Sequence, residues 1–173
     1  LLLGFILLRR AYRKRHFQRH DALVFEFRRN WEGLVSGEIP CESWRRRTST
    51  RQIVEALALD AFEAAGREES SRLLEFLRRS GLIRTLVFEA QQQRGWRRQR
   101  ALVALGRTRA PEGIPALGEA LRDRDREVRL AALRGLGRAA CPEAGAEILG
   151  WVGEAGLAVP ALPLPNALIQ CCA

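Results

Sequence analysis

Methionine is absent from the 173 residues and residue 1 is leucine, which predicts a piece of a longer chain. Lys14 is the only lysine, so almost every cation is arginine. Aromatic residues make up only 7% of the chain, too few for a sandwich or barrel, whose strands favour aromatic and β-branched side chains. The two histidines, His16 and His20, both precede residue 21. The remainder can therefore hold neither a Ser-His-Asp nor a Cys-His arrangement, and no His-Glu iron-ligating pair. His16 and His20 could share a helix face, but the cations around them oppose a metal ion. Cys41, Cys141, Cys171 and Cys172 show no C-x-x-C spacing, and no glycine-rich phosphate loop follows a strand-like run. GLGR at 135–138 sits at the end of a helical pattern instead. No segment alternates apolar and polar residues over a strand length. Ala, Leu, Arg and Glu dominate, the usage of packed helices.

The charge is unevenly placed. The formal net charge is +9, which at first points to nucleic acid. Residues 9–20 hold Arg9, Arg10, Arg13, Lys14, Arg15 and Arg19 and no acid. That leaves 23 cations against 20 acids in residues 21–173. Residues 1–8, LLLGFILL, are too short to span a bilayer, which takes about 20 apolar residues in a helix. A secretory signal carries its cations before the apolar run, and here they follow it. Residues 1–20 are therefore expected to be the end of a transmembrane helix plus a basic flank that keeps the rest in the cytoplasm.

Helical spacing continues through residues 21–95. Val24, Phe27, Trp31 and Leu34 form one apolar stripe, broken by Gly37 and Pro40. SWRRRTSTR at 43–51 reads as a basic connector. Thr50 is expected to cap a helix over 51–65 with Ile53, Leu57 and Ala61 inward and Gly66 as its C-terminal cap. Helices are also expected over 68–79, with Leu73, Phe76 and Leu77 inward, and over 82–92, with Leu82, Leu86 and Ala90 inward.

Residues 96–152 repeat without a gap at a period of 31. The identical pairs include Arg98/Arg129, Leu102/Leu133, Leu105/Leu136, Gly106/Gly137 and Pro111/Pro142. A period of 20–50 residues marks a solenoid. Each unit reads as helix, turn, helix: Ala101, Leu102 and Leu105 inward on the first helix, Ile114, Leu117 and Leu121 on the second. Pro111 suits the start of the second helix, and Asp125 can cap the helix that begins at Arg126. AVPALPLPNALIQCCA, closing the chain, reads as a Pro-rich loop and the start of a truncated third unit. Asn166 would cap its helix, and Leu168 and Ile169 would be exposed.

Residues 121–149 resemble a HEAT repeat of the short bacterial, phycobilisome-lyase-like kind. The likeness rests on Asp123, Val128-Arg129, Ala131-Ala132, Leu136-Gly137 and Pro142-Glu143. The preceding unit keeps Leu105-Gly106 and Pro111-Glu112, with Trp96-Arg97 near the Val-Arg position, where Trp96 is expected to be a core anchor. The layout is similar to that of membrane-anchored bacterial HEAT-repeat proteins. The resemblance implies an all-α, right-handed α-solenoid of antiparallel helix pairs: an irregular or degenerate segment at 21–95, two repeats at 96–156, and a third begun at 157–173. It further implies a scaffold or adaptor at the bacterial inner membrane, repeats facing the cytoplasm, with neither enzymatic activity nor a cofactor.

First helices of the repeats are rich in arginine, and second helices in glutamate. A protein partner with a basic or amphipathic segment is therefore expected on Glu112, Glu119, Glu143 and Glu147. The alternative for these charges is a set of solvated faces and turn-stabilising Asp–Arg pairs. A second function class, nucleic-acid binding of the HEAT-like glycosylase kind, draws on Trp44 amid Arg45–Arg47 and Trp96 amid Arg94, Arg97 and Arg98. A cofactor lyase or chaperone is a third, supported by the repeat alone.

Overall fold

A computed structural model describes residues 2–155 and 163–172, without the side chains of residues 2–8, 11–16, 155 and 172. Every described element is helical: α1 (Leu2–Arg29), α2 (Trp31–Ser36), α3 (Glu42–Arg45), α4 (Thr48–Ala64), α5 (Arg67–Arg79), α6 (Leu82–Gln92), α7 (Gly95–Thr108), α8 (Ile114–Ala120), α9 (Arg126–Ala139), α10 (Pro142–Ala155) and α11 (Pro163–Cys172), with a 3-10 turn at Pro111–Gly113 leading into α8. The chain divides into two units, Leu1–Ala58 and Leu59–Ala173.

In the first unit, α1 runs without interruption through the basic collar to Arg29. Arg9, Arg10 and Arg19 are exposed; the side chains of Arg13, Lys14 and Arg15 lie outside the described residues. Among the described residues no helix is long and apolar enough to cross a membrane. The transmembrane expectation thus finds no support in α1, whose apolar run gives way to cations after two turns. The stripe predicted over 22–35 is split at Asn30, with Leu34 buried and Val24, Phe27 and Trp31 half-buried. Gly37 closes α2 in the left-handed conformation at φ 94°.

The connector at 43–51 is not a loop. Trp44, on α3, is 1% exposed. The Thr50 hydroxyl does not cap a helix. It lies 2.6 Å from the Trp44 carbonyl and 2.9 Å from that of Arg47, so it fastens the turn between α3 and α4. Gly66 is likewise not a C-terminal cap. It precedes α5 with extended backbone, φ −71° and ψ 179°.

The second unit is built on the repeat. Leu102, Leu105, Leu117, Leu121, Leu133, Leu136 and Ile148 form one buried cluster with Leu86 and Ala90 of α6, Trp151 of α10 and Ala167 and Cys171 of α11. With the exception of Trp96, the inward positions expected from α5 to α9 are buried. Pro111 and Pro142 each open a second helix, where the missing N–H is not needed. The first helices stack in sequence, α9 packing against both α7 and α11.

Glycine sets the spacing of this stack. A Cβ on Gly106 of α7 would run into the backbone of Gly135 on α9. One repeat later, a Cβ on Gly137 of α9 would lie 2.8 Å from the Cα of Ala167 on α11. The equivalent pair Gly106 and Gly137 thus makes the same close approach twice, and α11 takes against α9 the place that α9 takes against α7. Asn166 falls inside the first turn of α11 rather than at its cap, because the helix already starts at Pro163. Ile169 is exposed, as expected, and Leu168 is half-buried. The loop residues 157–162 of the expected third unit lie outside the described residues.

Candidate functional site

The turn between the repeats gathers the polar residues of the motif. Asp125 begins α9, and its side chain accepts the Glu127 N–H at 2.9 Å, the cap expected from sequence. Asp123 accepts the Asp125 N–H at 2.8 Å through one oxygen and the Arg98 guanidinium at 2.5 Å through the other. Arg129, the repeat equivalent of Arg98, donates to the carbonyls of Asp123 and Arg124 at 2.9 and 3.0 Å. Two equivalent arginines therefore hold one turn from opposite sides. The side chains of Arg98 and Asp123 are only 15% and 17% exposed. Such a pair is less screened than a surface pair, and breaking it leaves a poorly solvated charge.

The predicted partner-binding glutamates are only partly brought together. Glu112 accepts from Arg78 of α5 at 2.5 Å, and this bond holds its carboxyl below the usual carboxylate range. Glu119 lies 3.8 Å from Arg98. Glu143 is exposed, at the start of α10. Glu147 lies across Gly118 of α8, and its field acts on Arg122. Arg122 makes a two-pronged pair with Glu154, 2.7 Å on each arm, which lowers the Glu154 pKa. Glu112, Glu119 and Glu154 are thus answered by arginines of the same chain, in Glu–Arg pairs beside the Asp123–Arg98 pair of the turn. The same holds for several first-helix arginines. Arg100 pairs with Glu89 at 2.8 Å, and Arg107 with Asp60 and Glu63 of α4 at 3.0 Å each.

The two tryptophans exchange their expected roles. Trp44 is in the core of the first unit. Trp96, expected as a core anchor, is 67% exposed, with the Arg97 guanidinium 5.7 Å from its ring centroid. The repeat itself carried this signal. Trp96 aligns with Glu127, which is exposed, and Arg97 aligns with Val128, which is buried.

Cys171 is the inward member of the vicinal pair, its Sγ 3.6 Å from the Leu136 carbonyl; the Cys172 side chain lies outside the described residues. His20 lies 3.6 Å from Asp21, both exposed, and the His16 side chain is outside the described residues. Among the described residues no group of three His, Cys, Asp or Glu side chains is placed to hold a metal ion.

The outer face of α9 carries a groove of about 780 Å³ toward α11. Arg126, Leu130, Arg134 and Arg138 form one wall, Asn166 and Gln170 the other. The 126-130-134-138 spacing, four residues at each step, was legible in the sequence as one helix face.

Residues 83–158 match the family model for HEAT repeats. The match covers α7 to α10, the two units of the 31-residue period, and begins in α6. The match therefore begins further towards the N-terminus than the gapless alignment. Searches of curated proteins and of solved structures gave no match. HEAT repeats generally serve protein interaction, which fits a stack whose inner faces make one core while Phe88, Trp96, Leu149 and Ile169 stay exposed.

Proposed function

We propose that this chain is a non-catalytic, membrane-tethered HEAT-repeat scaffold that binds a protein partner. The observation that carries it is the repeated stacking of α7 and α9 within the HEAT match, continued by α11 beyond it, a surface-presenting architecture. The partner surface on this reading is the second-helix face. Glu143 and Glu147 are its available acids, since Glu112 and Glu119 already meet arginines. Pull-down with E143K/E147K should recover less of a basic or amphipathic partner, with helicity by circular dichroism unchanged. E112K/E119K should lose partner and stability together. Unchanged capture by E143K/E147K would remove the acidic surface from the proposal.

Tethering is supported by LLLGFILL followed by six cations, an arrangement suited to the cytoplasmic face of the bacterial inner membrane. Flotation with anionic vesicles should carry the chain upward, and replacing the six cations with Gln should weaken this. A chain that stays in the dense fraction at low salt is not tethered through this segment.

The exposed Trp96–Arg97 pair favours a second reading, binding of single-stranded nucleic acid. A salt titration with a labelled oligonucleotide decides it. Salt-sensitive binding lost in Trp96→Ala supports it, and no binding at low salt excludes it.

A further inference from the structure

We propose that the groove on the outer face of α9 docks an acidic, amphipathic helical segment of a protein partner. This rests on the scaffold reading but concerns a different surface from its glutamates. Arg126, Arg134 and Arg138 lie along one face of α9 with Leu130 between them, a stripe about 18 Å long. All three arginines are exposed, and the residues lining the groove include no Asp or Glu. Among the described residues none of the three makes an ion pair, whereas Arg98, Arg100, Arg107 and Arg122 all do. Like charges one turn apart repel, and although Arg138 gains from the helix dipole in the last turn of α9, no acid among the described residues answers Arg134 or Arg138. An anion from outside supplies the missing term.

The first repeat shows what kind of anion. One period earlier the four positions are Gly95, Gln99, Val103 and Arg107. Arg107, the only cation among them, is held by Asp60 and Glu63, carboxylates three residues apart on a helix. Arg138 is its repeat equivalent, without such a helix. The groove adds Arg134 and Arg126 further along the same face, at the spacing of carboxylates on an adjacent helix. Its floor includes Leu130, Ala131 and Ala167, which favours an aliphatic side chain between the acids. A phosphodiester backbone offers no such group. Asn166 and Gln170 on the far wall can meet the polar edge of the segment.

The test uses the full chain and three fluorescent probes: a helical peptide of about 16 residues with Glu every fourth position and Leu between, the same peptide with Lys for Glu, and a single-stranded oligonucleotide. The Glu peptide should bind by anisotropy at low salt and the Lys peptide should not. R126S/R134S/R138S should weaken the Glu peptide at least about tenfold, the sum expected of three partly screened charge pairs. R94S/R97S, near Trp96, should leave it unchanged. Circular dichroism on each variant reports the fold. Equal binding by the triple variant, binding by no peptide, or preferential binding of the oligonucleotide in this groove would overturn the proposal. The E143K/E147K pull-down tests the scaffold surface separately, so either can fail without the other.

Discussion

At Gly106 a single hydrogen in place of a methyl decides whether α7 and α9 can meet. Ala at this position has the backbone of Gly135 in its way, and backbone does not yield as a side-chain tip does. Gly106→Ala should lower stability by about 2–3 kcal/mol, and Gly137→Ala, against Ala167, by a similar amount. Thermal melts should show a loss of roughly 5–10 °C. Gly150→Ala is the control. Nothing lies within 4 Å of its Cβ position and it sits inside α10, so it should be neutral or raise stability by up to about 1 kcal/mol. Backbone sign matters at two other residues of the repeat. Arg109 and Ala140, one period apart, both end a first helix with positive φ, 52° and 50°. Ala140→Gly should stabilise by about 1 kcal/mol, less the entropy glycine adds to the unfolded chain. A lower melting temperature for Ala140→Gly would show that the left-handed cap is not strained. At this scale the sequence was readable where the repeat doubled the signal. Gly106/Gly137 stood out as a pair, whereas Trp96 was expected in the core although its alignment with the polar Glu127 pointed to an exposed position. Trp44 had no repeat partner, and its burial depends on contacts that the order of residues around it does not encode.

The inward stripes of α5 to α9 were legible, apart from Trp96, because the 3.6-residue period survives there; on α4 the expected Leu57 and Ala61 are half-buried while Val54 and Ala58 are buried. The helix ends were not legible, where capping chemistry and chain reversal compete. Thr50 bonds back to a carbonyl instead of forward to an N–H, and Gly66 is extended where a left-handed turn was expected. The turn before α9 was legible in full at Asp125, and in part at Asp123, whose hold on Arg98 spans 25 residues. Asp123→Ala should cost about 2–3 kcal/mol, below a fully buried pair because some solvent reaches it. Asp123→Asn combined with Arg98→Met should recover part of that loss, and additivity in urea melts would show that the two side chains act independently. The α5–α8 link titrates. Arg78 lowers the Glu112 pKa in the fold, so its contribution is present above the ordinary Glu value, about 4.3, and fades as pH falls through the lowered one. Because both side chains are more than 40% exposed, the effect stays under about 1 kcal/mol. Glu112→Gln should flatten the acid limb of stability between about pH 5 and pH 3, and an unchanged limb would place the titrating group elsewhere.

For the molecule as a whole, the net charge of +9 is not one property. Six cations belong to the collar on α1, Arg78, Arg98, Arg100, Arg107 and Arg122 pair with acids within the second unit, and the α9 groove and the Trp96 edge are basic surfaces. Sequence could assign charges to helices but not to pairs, because pairing between helices joins residues 11 to 47 positions apart. The same stack predicts how stability is distributed. In a repeat array each unit leans on its neighbours, so the helix with neighbours on most sides opens last. That helix is α9, which packs against α7, α8, α10 and α11 and buries Val128, Ala132, Leu133 and Leu136. Hydrogen exchange should find the slowest amides in α9, intermediate rates in α7, and fast exchange in α11, which packs mainly on α9 and α10 and exposes Ile169. Gly137→Ala should speed exchange in α11 and the end of α9 while leaving α6 near its original rate, because the damage is to one interface. Uniform loss of protection across α6 to α11 would mean that the second unit unfolds all at once, and that the repeats do not act as separable neighbours.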